Sequence, residues 1–240
     1  MTTMSLDINV DNYALTESAK ELVKKARIVL LAGIAGAGKD TLKRELLKNS
    51  TFRDIVSHTT RPPRHNNSIL EEDGKDYHFI SLKEASEMID HQEFVEVKYV
   101  HGDTIYGTSV AEIEAGVTER RISITDVDIQ GVAEYKKISP EVVAIFILPP
   151  SYEVWRDRLM KRYESREAFE AEWPKRRASA LKELSHALEV PYYHFIINDD
   201  LDRTIKVAND IAQKTDVFHR KDDEARLAAR DILDELTANN

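Results

Sequence analysis

Gly33-Ile34-Ala35-Gly36-Ala37-Gly38-Lys39-Asp40-Thr41 is the stretch on which the fold turns. An apolar run, Arg27-Ile28-Val29-Leu30-Leu31-Ala32, precedes it, and a helix-like stretch from Leu42 to Lys48 follows. Strand, glycine loop, helix is the setting in which G-x-x-x-x-G-K holds a polyphosphate. Glycines let the main chain turn tightly and aim several N–H groups inward. A helix start adds partial positive charge, and Lys39 adds a mobile full charge for the outer phosphates. The spacing therefore predicts a nucleotide cradle built from Gly33, Gly36, Ala37, Gly38 and Lys39. A merely structural glycine turn leaves the lysine unexplained.

The residue after the lysine breaks the usual pattern. Ser or Thr normally stands there and offers a hydroxyl to magnesium; here it is Asp40. A carboxylate is a good hard-metal ligand, so Asp40 is expected to contact magnesium directly or through water. It also sets negative charge beside a polyphosphate, which costs binding unless a metal lies between them. Its plainer role would be to cap the helix or to compensate the helix dipole. Thr41 keeps a hydroxyl within reach of an inner phosphate.

Working outward, 240 residues suit one α/β domain with an inserted subdomain, or two small domains. A hydrophobic fraction of 42% can build an ordinary core. No run approaches the roughly 18 apolar residues of a membrane span, and no signal peptide is read at the N-terminus. With no cysteine there are neither disulfides nor thiolate metal sites. A cytoplasmic protein is the expectation. Net charge is 34 − 43 = −9, which argues against general nucleic-acid binding but leaves room for a local basic pocket.

Residues 1–26 read as a polar N-terminal extension with a helix near Leu15–Ala26. After the glycine loop comes Ser57-His58-Thr59-Thr60-Arg61-Pro62-Pro63-Arg64. Its two prolines predict a stiff, extended segment. Arg61 and Arg64, beside hydroxyls, suit a phosphate clamp; the same stretch also reads as an exposed basic loop. Asp76–Ile80 reads as a strand, and Ser81 to Glu84 as a capping box opening a helix to His91. Phe94–Val100 alternates like a half-buried strand with Phe94, Glu96, Lys98 and Val100 on one face. Ser109 to Glu112 reads as a second capping box, opening a helix that ends near Gly116. Residues 54–108 are rich in strand and turn and interrupt an α/β alternation, so they read as an inserted substrate subdomain.

The alternation resumes with a strand at Arg121–Thr125, ending in Asp126-Val127-Asp128. Aspartates at the carboxyl end of a strand sit where α/β sheets bind ligands. Asp126 is expected to hold magnesium, and Asp128 to accept hydrogen bonds from a base or to cap the next helix. Val142–Leu148 predicts a central buried strand. Arg158 and Arg162 lie in or just after the next helix and share a face. Glu164–Glu172 shows little periodicity and reads as a mobile loop or loose helix, and Pro174 as the start of a long helix to about Leu188. Arginines on both sides of residues 162–176 suit a lid over polyphosphate, or a solvated charged helix. Phe195–Ile197 reads as the last strand, followed by Asn198-Asp199-Asp200 and a helix over Leu201–Lys214. Residues 215–240 are a charged extension with one further helix near Asp222–Leu236.

Taken together these motifs resemble guanylate kinase, from about Arg27 to Lys214. The resemblance rests on the glycine loop, Ser57–Arg64, Gly74-Lys75-Asp76-Tyr77, Phe94-Val95-Glu96 and Ile105-Tyr106-Gly107-Thr108. It rests also on Asp126-Val127-Asp128-Ile129-Gln130-Gly131, the lid arginines and Asn198-Asp199-Asp200-Leu201-Asp202. It implies a parallel sheet of the P-loop type flanked by helices, carrying a GMP-binding insert and a lid. The implied reaction is ATP + GMP giving ADP + GDP, with ATP and magnesium bound at the loop. Arg61, Arg64, Tyr77 and Tyr106 would bind the GMP phosphate. Ser57, Glu96, Gly107, Thr108 and Asp128 would surround the guanine. Arg158, Arg162 and Arg176 would stabilise the transferring phosphoryl group together with Lys39. Asn198 and Asp199 would lie near the adenine. No nucleic-acid or membrane partner is implied, and a homodimer is one expectation for the assembly.

Three departures bear on this. Ile34-Ala35 stands where the family has Pro-Ser, Asp40 where it has Ser, and Arg162-Tyr163-Glu164 where its lid has Arg-Gly-Thr. Two alternatives follow. One is a kinase on the same fold with another acceptor, such as dGMP or a ribose phosphate. The other is a non-catalytic interaction domain, against which the intact Gly38 and Lys39 argue.

Overall fold

The computed structural model describes residues 10, 13–66, 69–100, 104–213 and 220–238. In chain order the elements begin with α1 (Glu17–Lys25), β1 (Ile28–Ala32), α2 (Lys39–Leu46), β2 (Phe52–Asp54) and β3 (His58–Thr59). They continue with β4 (His65–Asn66), β5 (Ile69–Leu70), β6 (His78–Phe79), α3 (Leu82–Asp90), β7 (Phe94–Val100) and β8 (Thr104–Ser109). Next are α4 (Val110–Glu119), β9 (Ile122–Asp126), α5 (Ile129–Ile138), β10 (Val143–Leu148) and α6 (Tyr152–Met160). The last are α7 (Arg166–Glu189), β11 (Tyr193–Ile197), α8 (Leu201–Gln213) and α9 (Arg220–Ala238). No helix among the described residues is long and apolar enough to cross a membrane. The chain divides into two units, Ile28–Phe52 with Ile124–Asn240, and Met1–Arg27 with Arg53–Ser123. We call them the loop unit and the insert unit.

In the loop unit the strands run β11-β10-β1-β9 across the sheet. β10 pairs in parallel with β1 on one side and β11 on the other, Leu31 facing Ile145 and Phe146 facing Phe195. A strand paired on both edges and covered by helices has no wet face. Its sequence, VAIFIL, is accordingly buried from Ala144 to Leu148. α8 and α9 pack on this sheet. α8 buries Thr204, Ala208, Ile211 and Ala212, a stripe at helical spacing. α9 buries Ala225, Ala229, Ile232 and Leu236 at the same spacing and lies against α7, β10 and β11.

α7 departs from expectation. Helix begins at Arg166, not at Pro174, so of the two readings of residues 164–172, mobile loop or loose helix, helix holds from Arg166 onward. Ser165 caps it, accepting from the Ala168 N–H at 3.1 Å. Pro174 sits inside and cannot donate to the Glu170 carbonyl, at a cost of about 3 kcal/mol. The offset is aromatic. Phe169 and Trp173 lie 5.4 Å apart, Trp173 and Trp155 5.4 Å apart, and Arg156 covers Trp173 at 5.3 Å. Such contacts contribute about 0.5–1.5 kcal/mol each beyond their buried area.

The insert unit holds a sheet in the order β6-β3-β8-β7, with β7 at its edge. α3 carries the expected capping box between Ser81 and Glu84. α4 is capped by Ser109, but it runs past Gly116 to Glu119 and ends on Arg120 in the left-handed region. Its Glu112 does not return to the cap as a box requires. It takes Arg53 Nη1 at 2.8 Å, the Val56 N–H at 3.2 Å and His78 Nε2 at 3.0 Å. Strict alternation in β7 also fails. The register shifts between Phe94, opposite Ser109, and Glu96, opposite Thr108. One extra residue on the β7 side is a bulge, and so the neighbours Phe94 and Val95 are both buried.

Candidate functional site

Three residues of the glycine loop have positive φ: Gly33 at 140°, Gly36 at 84° and Gly38 at 99°. Space is as decisive as angle. A Cβ on Gly33 would lie 2.3 Å from the Ile147 carbonyl, and one on Gly38 would lie 2.2 Å from Asn198 Nδ2. The loop is held from outside by two side chains. Trp155 Nε1 donates to the Ala35 carbonyl at 2.7 Å, and Asn198 Nδ2 donates to the Ala37 carbonyl at 2.8 Å. The Asn198 N–H in turn donates to the Leu148 carbonyl, and Arg158 donates to the Asn198 carbonyl at 3.0 Å. Asn198 thus braces the loop against the end of β10.

α2 starts at Lys39, three residues before the expected Leu42, with Gly38 as its N-cap residue. The left-handed glycine lets the helix begin directly under the loop, so its free N–H groups point into the cradle. Asp40 lies in the first turn and is exposed. Lys39 Nζ donates to the carbonyls of Gly33 and Ile34, across the cradle mouth. Burial pushes the Lys39 ammonium down from its ordinary value, against the opposing pull of Glu183, Asp40 and Asp126.

Two cavities open beside the loop. One of about 370 Å³ is lined by Gly38, Thr41, Arg158, Arg162, Asn198 and Asp199. The other, of about 300 Å³, is lined by Lys39, Asp126, Asp128, Arg176, Ser179 and Glu183. All three expected lid arginines therefore face a cavity that also meets the loop. Arg162 follows the end of α6, and Arg176 donates to Tyr163 Oη at 2.9 Å. Asp126 pairs with Lys43 at 3.2 Å. Asp128 caps α5, accepting from the Gly131 N–H at 2.7 Å. Burial works against the Asp199 carboxylate, yet the pairing with Arg203 holds it below the usual range.

Sequence reasoning missed Trp155 and Glu183. Trp155 stands among core aromatics, and nothing local separates a loop-pinning tryptophan from a packing one. Glu183 was legible in principle. It lies seven residues beyond Arg176 and four beyond Ser179, hence on one face of α7. Burial pushes its carboxyl up, and the Ser179 hydroxyl, donating at 2.8 Å, opposes that.

In the insert unit the arginine of the Pro-Pro segment is buried and fixed. Arg61 forms a two-pronged pair with Glu71, at 2.7 and 3.1 Å, and its Nε donates to Tyr106 Oη at 2.9 Å. Its guanidinium lies 5.2 Å from the centre of the Tyr77 ring. The hydrogen bond from Arg61 holds Glu71 below the usual carboxylate range. Arg64 is exposed, and its main-chain N–H donates to the same Glu71 carboxylate at 2.8 Å. Glu71 thus organises both arginine positions. It stands ten residues from Arg61 in an acidic run, where no local pattern marks it. Glu96 accepts from Thr108 Oγ1 at 2.8 Å. Gly107 is required by space, because a Cβ there would lie 2.8 Å from both the Glu96 carbonyl and the Phe94 ring. Ser57 offers its carbonyl to the His78 N–H at 2.9 Å. Ser57, Arg61, Arg64, Tyr77, Glu96, Tyr106, Gly107 and Thr108 belong to the insert unit, and Asp128 to the loop unit.

The chain is similar to known proteins. A family model described as guanylate kinase matches residues 25–215. That span leaves Tyr13 and α1 before it, apart from the last residue of that helix, and α9 after it. A guanylate kinase of Clostridioides difficile (strain 630) is 37% identical over 185 residues, covering 77% of this chain and 85% of that protein. One of Sus scrofa is 39% identical over 180 residues, covering 74% and 87%. The crystal structure of guanylate kinase from Anaplasma phagocytophilum superposes with a TM-score of 0.56 at 29% identity, covering 78% of this chain and 84% of that one. With the loop, its braces and the arginine–tyrosine cluster in place over the matched span, the chain belongs to the guanylate kinase family.

Proposed function

We infer that the chain transfers the γ-phosphoryl group of ATP to GMP, giving ADP and GDP. The observation that carries the reading is the loop itself, braced by Asn198 and Trp155 and furnished with Lys39. A phosphate entering the cradle meets main-chain N–H groups that need no rearrangement. Lys39 exchanges two carbonyl partners for phosphate oxygens. Arg158, Arg162 and Arg176 border the cavities next to it and stabilise charge on the group in flight.

On the acceptor side, Arg61, Arg64, Tyr77 and Tyr106 hold the GMP phosphate, with Glu71 setting the plane of the Arg61 fork. Glu96 reads guanine by accepting from its N1 and N2 donors, which adenine lacks. Thr108 fixes the carboxylate for that task. The attacking group is an oxygen of the GMP phosphate, already anionic at neutral pH, so no general base is needed. It forms the new P–O bond as the bridging oxygen leaves with ADP. Catalysis is then positioning and charge stabilisation.

Magnesium, bound with the nucleotide, supplies charge neutralisation. Asp40 in the first turn of α2 and Asp126 at the carboxyl end of β9 suit a hard cation held by one or two carboxylates plus phosphates. Cytoplasmic location and action without nucleic acid belong to the same reading, and a homodimer is compatible with it.

Coupled ADP release in the presence of magnesium tests the acceptor. Across GMP, dGMP, AMP, CMP, UMP and ribose phosphates, GMP is expected to give the highest kcat/KM, at least about 100-fold above AMP. A better rate with a ribose phosphate would replace this reading with that of a sugar-phosphate kinase.

A further inference from the structure

Tyr13 lies before the family-matched span, yet it grips the strand that carries the guanine-reading carboxylate. β7 is the edge of its sheet. An edge strand leaves main-chain N–H and C=O groups without a strand partner. At Phe94 both are taken by one phenol: Tyr13 Oη accepts from the Phe94 N–H at 2.9 Å and donates to the Phe94 carbonyl at 2.5 Å. A second tether runs beside it, from Gln92 Nε2 to the Ala14 carbonyl at 2.9 Å. Burial pushes the Tyr13 phenol above its ordinary value, so it keeps the proton it donates.

The grip falls where register is decided. Phe94 is the first residue of the bulge that moves the pairing from Ser109 to Thr108 and so places Glu96 opposite Thr108. The Phe94 ring lies by Gly107, where a Cβ would come within 2.8 Å of it. A bulge is a place where pairing can slip, and a slip by one residue would turn Glu96 to the opposite face. Tyr13 holds the main chain at that point, while Thr108 holds the Glu96 side chain.

We propose that Tyr13 is a positioning residue for guanine recognition, acting through the Phe94 backbone and the β7 bulge to hold Glu96 in register. The proposal rests on the assignment of Glu96 as the guanine reader. It assigns this N-terminal segment a part in acceptor affinity rather than in stability alone.

Tyr13→Phe removes only the hydroxyl and tests it. The expected result is a KM for GMP raised about fivefold, less than the two hydrogen bonds lost with the hydroxyl could supply, with kcat and the KM for ATP within twofold. Amide exchange at Phe94 should quicken in the same variant, a readout independent of activity. Equal rises in both KM values, or a lower melting temperature with unchanged kinetics, would overturn the proposal. So would unchanged exchange at Phe94. If Tyr13→Phe does not fold, Gln92→Asn serves instead. Its side chain is too short for Ala14 yet tolerates the left-handed backbone at φ 56°. In it, exchange at Phe94 should quicken and the KM for GMP alone should rise; quicker exchange beside an unchanged KM for GMP would overturn the proposal. Failure of the wild-type protein to phosphorylate GMP would sink the functional reading instead, leaving the exchange result to be judged by itself.

Discussion

Lys39→Met is expected to lower kcat/KM for ATP about 1,000-fold while the protein remains folded. The size follows from removing a preorganised charge aimed at a group whose negative charge moves during transfer, a loss of about 4 kcal/mol. Methionine fills the same volume, so the burial of the stem is kept. Folding should be little affected, because the partners Lys39 abandons are the Gly33 and Ile34 carbonyls at the cradle mouth. Burial already works against the ammonium, so the neutral side chain relieves a cost. Steady-state rates with thermal unfolding of the same sample check both halves. A loss below tenfold would show that the loop does not hold the reacting phosphates.

Glu96→Gln is the second large effect and divides the two substrates. A carboxylate can accept both hydrogens on the guanine edge, whereas an amide turns an N–H₂ group toward one of them. An unpaired donor facing a donor costs about 2–3 kcal/mol, so kcat/KM for GMP should fall about 100-fold. The KM for ATP should stay within threefold, since Glu96 belongs to the insert unit and its partner is Thr108. Thr108 Oγ1 can still donate to the remaining amide oxygen, so the fold is expected to hold. Equal losses for both substrates would mean that Glu96 supports structure and does not read the base.

Legibility in the sequence follows the range of the interactions. The glycine loop, the buried run of β10 and the Ser81–Glu84 box are local patterns, and each stands where it was expected. α7 misled because Pro174 is a strong local signal for a helix start. It was outweighed by the cap at Ser165 and by the aromatic packing of Trp173 on Phe169 and Trp155. The bulge in β7 could not be read at all, since FVEVKYV alternates acceptably and the extra residue exists only relative to β8.

The candidate site divides along the same line. Lys39 was expected from the loop motif and Arg158, Arg162 and Arg176 from the resemblance, and each lines a cavity beside the glycine loop. The residues that set their geometry were not. Trp155 reaches the loop from 120 positions away, Glu71 reaches Arg61 from ten, and Tyr13 reaches Phe94 from 81. Residues proposed to meet substrate announce themselves by type and spacing, whereas residues that brace them appear only after folding. Asn198 joins the two classes. It was expected beside the adenine, and it is found holding the Ala37 carbonyl.

One chain carrying phosphoryl from ATP to the phosphate of GMP is what every role above depends on. The most direct measurement is to incubate the 240-residue protein with magnesium, GMP and ATP labelled at the γ-phosphate, and then to separate the nucleotides. Label is expected in the β-position of GDP, with ADP formed in equal amount. Label appearing only as inorganic phosphate, or ATP bound without transfer, would contradict it.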